Sequence, residues 1–233
     1  MQSKRNLTTD SEYHGYPIIT DKKKGWAADV NILQRIEAQF EYAHYEKSKT
    51  LFPRMDIHFP KSMDVPADNE HIKRFLSAFM KNLKRQGLKP QYFAVREQSK
   101  YENRQHYHLG LLLDGQKTQN STKHLKTAER LWDHELGLPP KPEGYGLVNL
   151  CDKDKKTGER VKPDIKLVPS GDNYELVRNN AFRRASYLAK VNTKGTPQGC
   201  REYFASRVPK EYTEKIRIFE TIQKKMKKAS GQA

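Results

Sequence analysis

Two histidines sit inside an otherwise apolar run, His106 and His108 in "RQHYHLGLLLDG" (104–115). In a strand, side chains two apart share one face at about 6.6 to 7 Å, close enough for both imidazoles to lean onto one ion. Gly110 follows them on that face and leaves space where another backbone or a ligand could approach. Tyr107, Leu109, Leu111 and Leu113 take the opposite face and make it a packing surface. Further along, "NNAFRRASYLAK" places Tyr187 three residues before Lys190. Rotated by about 100° per residue, Val177, Ala181, Phe182, Ala185, Leu188 and Ala189 gather in one apolar sector, with Tyr187 about 140° from its centre. Arg183 and Lys190 lie on the tyrosine's side of the helix. A phenol, with a pKa near 10, becomes a nucleophile when cations favour its phenolate or neutralise the group under attack. The chemistry on offer is therefore a metal ion beside an activated phenol. The plain alternative is two half-buried histidines and a tyrosine at a helix edge.

A third metal ligand must come from the neighbouring strand. "QYFAVREQ" (91–98) and "QHYHLGLLLD" (105–114), separated by the polar "SKYENR", read as an antiparallel hairpin. A symmetric loop pairs Glu97 with His106 and Val95 with His108, which makes Glu97 the candidate ligand. A one-residue slip would turn Glu97 to the other face. Imidazoles with a carboxylate suit Mn²⁺, Mg²⁺, Zn²⁺ or non-haem iron. The basic chain favours phosphate chemistry.

Other elements must hold these groups. "ADVNILQRIEAQFEYAHYEKS" (28–48) has helical spacing, and "TLFPRMDIHF" alternates Met55, Ile57 and Phe59 with Arg54, Asp56 and His58 as a strand ended by Pro60. Ile72, Phe75, Leu76, Phe79, Met80 and Leu83 form a helical stripe stopped by Gly87. A further helix spans 121–136, where His124 and His134 read as structural, and "YGLVNLC" and "IKLV" are short strands. The Tyr187 helix runs from about 172 to 191. The expected fold is α+β. Its central antiparallel sheet has about four or five strands, with the Glu97/His106 hairpin in the middle and helices on one face. The Tyr187 helix crosses the histidine-bearing face or its rim.

Lys and Arg number 44 against 28 Asp and Glu, a formal charge of +16. Such a surface attracts polyanions through counterion release, so nucleic acid is the leading partner and an anionic membrane surface the second. No apolar run approaches the roughly 20 residues that span a bilayer, and the start lacks the apolar core of a secretory signal, so the expected location is the cytoplasm. Cys151 and Cys200 have no metal-finger spacing and read as reduced thiols without a role.

The order of these motifs resembles the HUH endonucleases, and within them the replication-initiation proteins of filamentous phages and related prophages or satellites. "RMDIHF" resembles the first-strand motif, "HYHLGLLL" the His-hydrophobic-His strand, and "ASYLAK" the Y-x-x-K helix. The resemblance covers about residues 50–207 and implies an RRM-like palm. It implies a tyrosine attack on one DNA strand that leaves a 5′-phosphotyrosine and a 3′-hydroxyl to prime rolling-circle replication in a bacterial host. Carried over, Tyr187 is the nucleophile, Lys190 its helper, and His106, His108 and Glu97 the ligands of Mn²⁺ or Mg²⁺. His58, Arg183, Arg184, Lys194 and Arg207 are the candidate DNA contacts. No tyrosine lies four residues from Tyr187, so a two-tyrosine mechanism is not supported.

The implied partner is single-stranded or origin DNA. With no phosphate-binding G-x-x-x-x-G-K-[ST], any host helicase is a separate protein. Residues 1–49 read as an N-terminal extension with a helix, 50–207 as the nicking domain, and 208–233 as a basic helix and tail. Two other readings stay open: a non-catalytic DNA-binding protein or repressor on the same fold, and a metal-dependent nuclease that uses water.

Overall fold

A computed structural model describes residues 5–98, 104–153, 158–191 and 199–212. Short strands come first: β1 (Leu7–Thr8), β2 (Glu12–Tyr13), β3 (Tyr16–Pro17) and β4 (Ala28–Asp29). They lead into α1 (Val30–Glu46), β5 (Thr50–Ile57), α2 (Glu70–Arg85), β6 (Gln91–Gln98), β7 (Gln105–Asp114) and α3 (Thr122–Glu135). Then follow β8 (Val148–Leu150), β9 (Asp164–Leu167), α4 (Tyr174–Ser186), a 3₁₀ turn (Tyr187–Ala189) and β10 (Tyr203–Ala205).

The main sheet is antiparallel, with six strands in the order β10-β6-β7-β5-β8, and β9 paired to the same edge of β5. The α+β class and the central place of the β6–β7 hairpin follow the sequence pattern. The strand without a sequence signal is β10, whose three residues are too few to show a period. In the hairpin Glu97 stands opposite His106 and Val95 opposite His108, the pairing expected of a symmetric loop.

Period-2 alternation divides the sheet into two apolar layers. Met55, Ile57, Tyr107, Leu109, Leu111 and Leu113 meet the stripe of α2 and Trp132 of α3. On the other face Phe52, Phe93, Val95 and Leu112 meet α1 and α4. Helices therefore cover both faces, a correction to the expectation that, apart from the Tyr187 helix, they lie on one. The reason is α1: its buried stripe of Ile32, Leu33, Ile36, Phe40 and Ala43 needs an apolar partner and finds it beside α4. Asp29 caps α1 by accepting hydrogen bonds from the Asn31 and Ile32 amides at 2.9 and 3.3 Å.

The hairpin end that carries Glu97 and His106 is tied down on the α2 side. Arg96, fully buried, donates to the carbonyls of Ala67 and Asp68 at 2.9 and 3.1 Å, and Gln105 donates to Pro66 at 2.8 Å. Gly110 serves packing rather than ligand approach. A Cβ built there would lie 2.4 Å from the Phe93 ring, which fills the space next to it. Gly110→Ala should therefore destabilise the fold by about 1–3 kcal/mol in chemical denaturation, because the fully buried ring must shift to admit the methyl group. An unchanged denaturation midpoint would show that Phe93 can move aside.

Lys47, at the C-cap of α1, is buried, and its ammonium has no hydrogen-bond partner. Burial lowers its pKa from 10.5 to about 8, against the raising effect of Glu46 and Asp114. Between those values the unfolded chain binds more protons than the folded one, so this group makes stability rise with pH through that window. Lys47→Met should raise Tm at pH 7 by at least about 2 °C, with the gain shrinking as pH climbs from about 8 towards 10.5. Parallel melting curves of the two proteins across that range provide the check.

Candidate metal centre and cationic cleft

The register of β5, β6 and β7 builds the site rung by rung. Asp56 stands opposite His108 across β5–β7, Val95 opposite His108 across β6–β7, and Glu97 opposite His106. All the polar members point to the α1/α4 side, beyond the apolar patch of Phe52, Phe93 and Val95. One ligand atom from each of Glu97, His106 and His108 lies within 4.8 Å of the others. Glu97 Oε2 is 3.4 Å from His108 Nε2 and 3.8 Å from His106 Nε2. Adjacent ligands at about 2.1 Å from a common octahedral ion stand about 3.0 Å apart, so a small cation would draw these donors somewhat closer than they stand here.

Asp56 completes the arrangement. Its Oδ1 is 2.5 Å from His108 Nδ1 and 3.1 Å from Cys151 Sγ, which donates to it. Burial works against charge on Asp56, yet the His108 hydrogen bond and the neighbouring Arg54 hold its carboxyl well below the usual range. The ionised carboxylate accepts from Nδ1–H and leaves Nε2 of His108 facing Glu97, the tautomer that a metal ligand needs. Burial, reinforced by His108, pushes His106 down to about 4, so its imidazole is neutral near pH 7. In His108 burial opposes the charged form, but its hydrogen bond to Asp56 and the nearby Glu97 carboxylate outweigh it and raise the pKa. The His58 ring stacks on His106 at 5.4 Å and 13° and stays exposed, at the rim of the site.

Tyr187 arrives from another part of the chain. Helix α4 tightens into a 3₁₀ turn at this residue, which buries Leu188 and Ala189 and directs the phenol ring onto His108, edge to face at 5.4 Å. The Arg54 guanidinium lies 4.8 Å from the centre of the same ring. Burial raises the Tyr187 pKa, Glu97 adds to this, and Arg54 acts against it. The N-terminal segment holds the turn. Ser186 accepts from the Ile19 amide at 2.9 Å, Ala28 bridges to Lys190, and Tyr16 stacks on Phe182 at 4.3 Å. Lys190 is 4.0 Å from the Trp26 ring centre and 5.7 Å from that of Tyr187.

A cleft of about 640 Å³ opens beside this turn, lined by Trp26, Arg54, Arg183, Tyr187 and Lys190 among others. Asp21 is the one carboxylate among its described lining residues. The other basic candidates have different places. Arg184 also lines the cleft, but its guanidinium is committed to structure, donating to Cys151 O and, at 2.9 Å, to Lys162 O. Arg207 is exposed beyond β10, and Lys194 lies outside the described residues, as does the tail from 213. His124 is buried, with Nε2 2.9 Å from Thr118 Oγ1, in keeping with a structural role. Cys151 is buried and its thiol is pushed up to about 11 by burial, so it serves as a weak donor to Asp56.

The sequence motifs assign no site role to Asp56, Arg54 or Trp26. The first two carry a signal, since Arg54, Asp56 and His58 alternate on one face of a strand. Pairing of that strand with β7 was the missing fact. Trp26 sits in an irregular segment and carries no periodic signal. Removing Asp56's charge while keeping its shape tests the second layer of the site: Asp56→Asn should weaken Mn²⁺ binding roughly 10- to 100-fold by titration calorimetry. Unchanged affinity would mean that Asp56 does not orient His108 for a metal.

Among the described residues, no helix is long and apolar enough to cross a membrane. The family model described as the YagK/YfjJ C-terminal domain matches residues 8–206. Over 204 residues the chain is 28% identical to a protein of Escherichia coli strain K12 named "Uncharacterized protein YfjJ", covering 74% of this chain and 92% of that protein. No solved structure matches the chain. With the match spanning the whole sheet and every strand around the site, this chain belongs to the YagK/YfjJ C-terminal domain family.

Proposed function

We propose that the protein is a metal-dependent, HUH-type endonuclease that nicks and rejoins single-stranded DNA through Tyr187, to initiate rolling-circle replication of a phage, prophage or satellite element. The observation that carries this reading is convergence. The Tyr187 ring lies 5.4 Å from that of His108, although the two residues come from separate elements far apart in the chain. A tyrosine packed for stability alone would not need two imidazoles, a buried carboxylate and a guanidinium around it.

In the proposed reaction the Tyr187 oxygen attacks a backbone phosphorus. An O–P bond forms, the P–O3′ bond breaks, the phenolic proton passes to solvent, and O3′ takes up a proton to leave as a hydroxyl. The product is a 5′-phosphotyrosine, and attack by a 3′-hydroxyl reverses it, so no nucleotide cofactor is consumed. His106, His108 and Glu97 would hold Mn²⁺ or Mg²⁺, which supplies Lewis-acid polarisation and orientation of a phosphate oxygen. Asp56 keeps His108 in the ligating tautomer. Lys190, seated over Trp26, puts positive charge on the phenol's side of the cleft, where charge builds on the phosphate. The formal charge of +16 supports a polyanionic substrate.

Incubating the full chain with single-stranded origin-region DNA and Mn²⁺ should give a protein-linked fragment on a denaturing gel. Tyr187→Phe should abolish that species while retaining non-covalent DNA binding, and His108→Ala should reduce it at least about 10²-fold. An adduct that persists in Tyr187→Phe would remove Tyr187 as nucleophile. Cleavage without any adduct would point to water as the attacking group.

A further inference from the structure

We infer that Arg54 is a phosphate-binding residue, the floor of a subsite that receives a backbone phosphodiester of the single strand beside Tyr187. Arg54 is 3% exposed, yet its Nε and Nη2 have no hydrogen-bond partner. Only Nη1 is used, donating to the Arg184 carbonyl at 3.2 Å. The nearest carboxylate, Asp56 Oδ1, is 3.7 Å from Nη2, beyond hydrogen-bond reach and already engaged by His108 and Cys151. Two buried donor nitrogens without hydrogen-bond acceptors are costly to the fold, a penalty that a ligand would relieve.

The surroundings of these donors identify the ligand. Arg54 lines the cationic cleft and lies under the Tyr187 ring, which covers it at 4.8 Å. Nε and one Nη of a guanidinium form a planar fork that matches two oxygens of a phosphate. The register puts Arg54 opposite Gly110 and Asp56 opposite His108, so along this strand Asp56 stands between Arg54 and His58 at the rim. A phosphodiester reaching Arg54 displaces the ring's cover and comes to lie against the phenol. Arg183 and Lys190 add charge along the cleft walls, and their side chains extend the path for the neighbouring phosphates.

This inference rests on the reading of single-stranded DNA as the substrate, and its test separates the two. Fluorescence anisotropy with a labelled single-stranded oligo-dT is measured across a salt series in the Tyr187→Phe background, where no covalent link forms. Arg54→Gln should weaken binding about tenfold and make the salt slope shallower by about 0.7, one phosphate contact fewer. Arg54→Lys should recover the slope but not the affinity, because charge returns without the fork. Near-UV circular dichroism and Tm establish that each variant is folded, and the lysine variant keeps the test intact if the glutamine variant is not. Affinity and slope equal to those of the parent in either folded variant overturn the subsite, even where the wild-type chain forms its adduct. A loss of binding in Arg54→Gln with no adduct from the wild-type chain upholds the subsite and removes the nicking reaction. Absence of any oligo-dT binding by the parent overturns both.

Discussion

A one-residue slip between β6 and β7 would carry Glu97 to the α2/α3 face and leave His106 and His108 with no carboxylate between them. The site therefore depends on the forces that hold the register. Apolar pairs on both faces supply them: Ala94 with Leu109 and Tyr92 with Leu111 towards or beside one core, Val95 next to His108 on the other. Each such residue would be exposed or clash after a slip, so many buried contacts oppose it at once. The same constraint acts across β5, where Met55 pairs with Leu109 while Asp56 meets His108. Polar ligands occupy one end of a face whose other end is a hydrophobic core, and the core sets their positions.

The tyrosine is held by a different device. Its turn lies at the end of α4, a place where a helix alone would fray. Segments near the chain's start brace it, through the Ile19–Ser186 hydrogen bond, the Ala28–Lys190 bridge and the stack of Tyr16 on Phe182. Residues before α1 thus act on the site from outside the motifs, and they also bring Trp26 to the cleft wall. Of the short strands there, β3 packs on α4 and β4 packs on α1 and on the 3₁₀ turn itself, which couples order in the N-terminal segment to the position of the phenol.

Electrostatics divide the region into two compartments. Around His108, buried carboxylates prepare a pocket for positive charge, with His106 neutral and Asp56 ionised. Beside it, the cleft between Arg54, Arg183 and Lys190 is prepared for negative charge. Tyr187 stands on the border, raised in pKa by burial and Glu97 and opposed by Arg54. A cation on one side and a phosphate on the other would each compensate groups that the protein alone leaves unbalanced. This border position is the physical content of the proposed nicking site.

The amino-acid sequence by itself determined the local elements, because period 2 in β5, β6 and β7 and period 3.6 in α1, α2 and α4 are properties of neighbouring residues. It also determined that His106 and His108 share a face, that a symmetric turn brings Glu97 opposite His106, and that Tyr187 falls outside the apolar sector of its segment. Gly110 misled, since a missing side chain reads the same whether a ligand or the Phe93 ring takes the space. Only the tertiary structure decided that β5 pairs with β7 and so gives His108 its Asp56, that α1 and α4 share the histidine-bearing face, and that Arg54 ends with idle donors under Tyr187. Those facts depend on which apolar surfaces find each other across long stretches of chain, and periodicity records that a face is buried without naming its partner.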